Sequence, residues 1–135
     1  MNGLELPDGV YLGWRYIDSR RSIDRSQLYH DDGRVVAIES DEHSELCRFS
    51  VEQVDAAKRA IVDSGLPGAT DVAGDDVSDA APVLYAWRVE GSEGSIVNRG
   101  YPAESQPEID RLDEALARIE EAAGCWPLMA DEDED

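Results

Sequence analysis

Two histidines stand beside carboxylates in this chain. His30 precedes Asp31 and Asp32, and His43 lies two residues before Glu45. Imidazole nitrogen and carboxylate oxygen are together ligands for zinc or a similar ion. The spacing matches no zinc pattern, however, and both groups fall in turn-like sequence, where Asp and His are ordinary. Asp71, Asp75, Asp76 and Asp79 supply the hard oxygens that calcium takes, without the Asp-x-Asp-x-Asp-Gly order of a calcium loop. They read as an acidic linker. No metal or other cofactor is expected.

Nucleophilic catalysis needs a nucleophile beside an oriented base. The chain has two His to act as base, no Ser in G-x-S-x-G, and no cysteine in a catalytic context. No glycine-rich stretch has phosphate-cradle spacing. Paired carboxylates of the glycosidase type say nothing in a chain with 31 acids, where chance pairs are inevitable. The reading is therefore non-catalytic. A small enzyme is kept as a second alternative, recognisable by a concave pocket with convergent polar groups.

Charge narrows the partners. The 135 residues carry a net charge of −19, with eleven Arg, one Lys (Lys58), seventeen Asp and fourteen Glu. Direct binding to nucleic acid or to an anionic membrane is excluded, because phosphate contacts need positive groups. Another protein fits, above all a basic one. The alternative is a nucleic-acid mimic that occupies a basic cleft through the second helix and the tail. That helix offers Glu108, Asp110, Asp113, Glu114, Glu120 and Glu121, which also read as an ordinary solvent face. No stretch approaches the roughly 18 apolar residues of a membrane span, and MNGLELPDG lacks the regions of a signal peptide. Cys47 and Cys125 are expected to be free thiols and the protein cytoplasmic.

The elements that position these groups follow from periodicity. Val10, Leu12, Trp14 and Tyr16 alternate as a half-buried strand requires. A polar stretch, DSRRSIDRS, leads to a short run from Gln27 to His30. Asp32-Gly33 signals a hairpin turn into a strand from Arg34 to Glu39. SDEHSE reads as a loop, and Leu46 to Phe49 as a short strand. Ser50 and Gln53 form a capping box before a helix whose stripe is Val54, Ala57 and Ile61; Gly65 ends it. Val83, Tyr85, Trp87 and Val89 alternate in a strand, Gly91 to Gly94 turn the chain, and Ser95 to Arg99 run back. Ser105 and Glu108 suggest a second capping box, with Pro107 in the first turn and Ile109, Leu112, Leu116 and Ile119 as the stripe; Gly124 closes that helix. The order implies an α+β fold: a small antiparallel sheet with two amphipathic helices packed on one face. Residues 1–129 form one domain, and 130–135 a disordered acidic tail.

The strands are nearly neutral, while the helices, loops and tail carry the acid. Tyr11, Arg15 and Ile17 are expected on the face opposite Trp14, and Arg20-Arg21-Ser22-Ile23-Asp24-Arg25 is the one basic cluster. Tyr and Arg are enriched where proteins meet. Tyr11, Arg15, Arg20 and Arg21 are therefore the expected binding residues.

From about residue 26 to 123 the layout resembles the emfourin-type family, small α+β inhibitors of thermolysin-like metalloproteases. The matching parts are DDGRVV, SVEQVDAAKRAIVDSGLP, YAWRVEGSEGSIVNRG and IDRLDEALARIE. The resemblance implies a compact inhibitor fold and a protein partner, and transfers no functional residue.

Overall fold

The computed structural model describes residues 6–18, 22–39, 42–69, 83–89, 91–98 and 106–125. Six strands form one sheet in the order β4-β3-β2-β1-β5-β6, every neighbouring pair antiparallel. They are β1 (Val10–Asp18), β2 (Ile23–His30), β3 (Arg34–Glu39), β4 (Glu42–Arg48), β5 (Val83–Val89) and β6 (Ser92–Asn98). Helix α1 (Val51–Asp63) follows β4, a 3-10 turn (Leu66–Gly68) follows α1, and α2 (Pro107–Ala123) follows β6. The α+β class is as the sequence implied.

Several boundaries differ. β2 begins at Ile23, so part of the polar run after β1 is strand, paired residue for residue with Tyr16 to Asp18. Glu42 to Glu45, read as loop, form the exposed start of β4. Hydrogen bonding to β3 decides this pairing, and an edge strand needs no apolar alternation. β6 starts at Ser92, because the turn is tighter than the sequence suggested and Gly91 supplies its positive φ of 84°. The cap of α2 is Gln106, whose side chain accepts from Asn98 Nδ2 at 3.1 Å rather than capping the helix; Ser105 lies outside the described residues.

The α1 cap is as expected. The Gln53 amide donates to Ser50 Oγ at 3.1 Å, and the Ser50 amide donates to Gln53 Oε1 at 2.8 Å. At the far end Arg111 of α2 donates through Nε and Nη2 to the Ser64 carbonyl at 3.0 and 2.8 Å. A carbonyl left over at the end of α1 is thereby satisfied, and the two helices are joined. The β2–β3 turn requires Gly33. Its φ is +100°, and a Cβ there would sit 2.2 Å from the Phe49 carbonyl oxygen.

One irregularity sets the core. Along β1 the partner of Val10 is His30 and that of Leu12 is Tyr29, so Tyr11 is an extra residue in a β-bulge. The bulge lets Val10, Tyr11 and Leu12 all be buried in succession. Strict alternation would have sent Tyr11 outward. Beyond the bulge the rows are regular: Gln27, Trp14, Tyr85 and Ile96 lie side by side, as do Tyr29, Leu12, Trp87 and Gly94. Tyr29, Leu12, Tyr85, Trp87 and Ile96 share one apolar cluster with Val54, Ala57 and Ile61 of α1 and Leu112 and Leu116 of α2.

Cys47 and Cys125 are joined in a disulfide across 78 residues, their Cα atoms 5.0 Å apart. This corrects the expectation of free thiols. Sequence distance gave no hint of the pairing, which exists because the end of α2 returns to β4. Closing so long a loop restricts the unfolded chain, typically contributing about 2–4 kcal/mol. Urea unfolding with and without reductant should show a loss of that size, and a Cys47→Ser/Cys125→Ser variant should match the reduced protein.

Candidate functional site

A cavity of about 310 Å³ opens between the sheet and α2. Trp14 and Tyr16 of β1, Gln27 and Tyr29 of β2, and Val83 and Tyr85 of β5 form one side. Asp113, Leu116, Ala117 and Glu120 of α2 form the other. The helical residues are spaced i, i+3, i+4 and i+7, so they share one helix face. The strand residues belong to adjacent cross-strand rows, with Gln27–Trp14–Tyr85 directly in register.

The polar groups converge. Tyr29 Oη donates to Glu120 Oε2. Gln27 Nε2 donates to Tyr29 Oη at 2.8 Å and lies 3.5 Å from the same Glu120 oxygen. The Trp14 side chain is a further hydrogen-bond partner of Tyr29. Nearer the mouth, Tyr85 Oη lies 3.1 and 3.3 Å from the two oxygens of Asp113. Among the described residues lining the cavity there is no lysine or arginine.

Glu120 is only 4% exposed. Burial raises its pKa above the ordinary carboxyl range, the Tyr29 hydrogen bond opposes that shift, and the Asp113 charge adds to it. Asp113 is raised by burial, lowered by its bond from Tyr85, and raised again by Asp110. Because Asp113 is solvent-exposed at the mouth, water screens it far more than Glu120. The tyrosines are pushed upward, first by burial and then by the facing carboxylates, and stay protonated as donors. An acidic, aromatic-walled cavity with no countercharge among its described lining residues suits a positive guest.

Tyr11 and Arg15, two of the expected binding residues, are not among the described residues that line this cavity. Tyr11 is 1% exposed in the core, tilted against Tyr29 at 6.3 Å between ring centroids, with Lys58 Nζ 5.4 Å from its own ring centre. It is not on an exposed face, because the bulge turned it inward. Arg15 is clamped by Asp24 through bonds of 2.9 and 2.6 Å. Arg20 and Arg21 lie outside the described residues, as do the 71–79 acids and the tail. The side of the sheet that carries Arg15 is well covered too: Leu28, Leu84, Ala86 and Val97 are buried there. Among the described residues no three His, Cys, Asp or Glu side chains gather as metal ligands. Asp32 is held by Arg34 at 2.9 Å and Asp31 by Lys58 at 3.1 Å.

Sequence reasoning placed Asp113 and Glu120 on a solvent face; Asp113 is exposed as expected, and Glu120 is buried. The signal against that was present for Glu120, which follows Leu112 and Leu116 at i+8 and i+4 and so falls on the apolar stripe. No protein-family model matches the chain, and no curated protein matches it either.

Two outcomes are expected from this geometry. Tyr11 Oη is buried with no hydrogen-bond partner among the described residues. Tyr11→Phe should therefore be neutral or stabilise by about 1 kcal/mol in urea unfolding, since it removes an unsatisfied group. The raised Glu120 binds its proton more tightly in the folded than in the unfolded chain. Its contribution is fully present below the unfolded carboxyl pKa of about 4.3 and is lost as pH rises through the folded value. Glu120→Gln should therefore gain in urea midpoint over the parent between about pH 4 and pH 8, with the other carboxylates common to both proteins.

Proposed function

We propose that this protein is a non-catalytic binding domain for a basic protein, which places a cationic side chain in the cavity between α2 and the sheet. The observation that carries the reading is the convergence of Glu120 and Asp113 with four aromatic rings and no cationic neighbour among the described lining residues. A charged group away from water is paired, coordinated or neutralised, and a partner's cation would complete the set. The negative field of the whole chain would raise the rate of encounter. The likeness to emfourin-type inhibitors points the same way, toward a protein partner. The reading takes both helices to cover the Tyr29–Trp87 side of the sheet, as their shared apolar cluster supports. Among the described residues no helix is long and apolar enough to cross a membrane. The disulfide supports an oxidising setting over the cytoplasmic one that the sequence suggested.

A second reading, proton-transfer chemistry, is favoured by the chain Gln27–Tyr29–Glu120, which joins a tyrosine hydroxyl to a carboxyl of raised pKa. Mimicry of nucleic acid would instead place affinity on the outer acids of α2 and on the tail.

The deciding experiment is titration of a lysine- and arginine-rich peptide into full-length protein, into protein lacking residues 130–135, and into Asp113→Asn. The reading expects equal affinity for the first two and about tenfold weaker binding for the third, a loss near 1.4 kcal/mol. Loss of binding on tail deletion alone would transfer the function to mimicry.

A further inference from the structure

The cavity narrows the kind of cation it would take, and this inference rests on the binding reading above. The first constraint is hydrogen-bonding capacity. Glu120 Oε2 already accepts from Tyr29 and faces Gln27, both Asp113 oxygens face the Tyr85 hydroxyl, and Tyr29 Oη is engaged by Gln27 and Trp14. An arriving guanidinium brings five N–H donors and an unmodified ammonium three. The two carboxylates keep acceptor positions for some of these donors, but a donor turned toward the aromatic wall finds no acceptor there and weakens binding. An ammonium whose hydrogens are replaced by methyl groups makes no such demand. It keeps its positive charge and gains from the carboxylates and the ring faces alike.

The second constraint is the wall. Trp14, Tyr16, Tyr29 and Tyr85 supply ring surface, and Val83 and Leu116 add aliphatic surface. Methyl groups are favourably desolvated against such a lining, whereas a primary ammonium gains from the carboxylates but gives up water on the side that meets the rings. The volume, about 310 Å³, lies at the low end of ligand pockets, which run from about 300 to 1,000 Å³. It suits one head group rather than an extended ligand.

We propose that this cavity is a site for an N-methylated alkylammonium group, with its charge toward Glu120 and Asp113 and its methyl groups against Trp14, Tyr16 and Tyr85. The group could arrive on a methylated lysine of the basic partner or as a free quaternary ammonium. The chemistry is the same, and the experiment separates the sources.

The test is calorimetric titration of the full chain with four probes: tetramethylammonium chloride, and one basic peptide carrying lysine, trimethyllysine or arginine at its centre. Sodium chloride at matched ionic strength is the control. The expected result is that the trimethyllysine peptide binds at least tenfold tighter than its lysine and arginine counterparts, and that tetramethylammonium competes with it. Trp14→Ala should abolish this preference. Ala117→Trp provides the second variant, because Ala117 lines the cavity from an exposed helical position. It should block all methylated probes while leaving the urea midpoint nearly unchanged. Equal binding of the lysine and trimethyllysine peptides would overturn the methylammonium site and leave the protein-binding reading standing. Binding of tetramethylammonium with no peptide bound would keep the site, assign it to a free ligand, and remove the protein partner. Methylated probes that bind Ala117→Trp as well as the parent would overturn the site outright.

Discussion

Leu112 and Leu116 must be hidden from water, and the aromatic side of the sheet is where α2 hides them. Each leucine fully buried contributes roughly 1.5–3 kcal/mol, so the pair supplies enough to hold a helix that also brings a carboxyl inward. A buried ionised group costs several kcal/mol even after relaxation, a penalty of the same order. The attachment of α2 is thus closely balanced. The bonds from Arg111 to the Ser64 carbonyl near one end and the disulfide to β4 just past the other tip that balance. With both ends fixed, the middle of the helix has little freedom, and Glu120 is delivered to Tyr29 and Gln27.

The same arrangement separates two uses of negative charge. Most of the acids among the described residues are exposed, where salt screens them beyond about 8 Å at physiological ionic strength. They keep the molecule hydrated, and a field of this kind attracts positive groups without selecting among them. Glu120, 4% exposed, is screened much less and faces a fixed set of donors and rings. A group so placed responds to the shape and bonding of its neighbours rather than to their charge alone.

Local signals made much of the fold legible. The Ser50–Gln53 capping box, the Asp32-Gly33 turn, the alternation from Val83 to Val89 and the stop at Gly124 each depend on neighbours within a few residues, and each stands where the pattern placed it. Glu42 to Glu45 did not look like strand, because an edge is defined by hydrogen bonds to another segment and leaves no apolar pattern of its own. Tyr11 misled for a related reason. One extra residue in the ladder reversed its direction, and a bulge forms only against the strand opposite.

The sequence by itself determined the class of fold, the two helices with their stripes, and the acidic field, because propensity, periodicity and net charge are properties of short segments or of plain sums. Tertiary structure alone decided that Cys47 meets Cys125, that Tyr11 is core, and that Trp14, Tyr29, Tyr85, Asp113 and Glu120 enclose one cavity. Each of these depends on strand register and on the path of α2 across the sheet. Those are set by the packing of residues far apart in the chain, which no local pattern encodes.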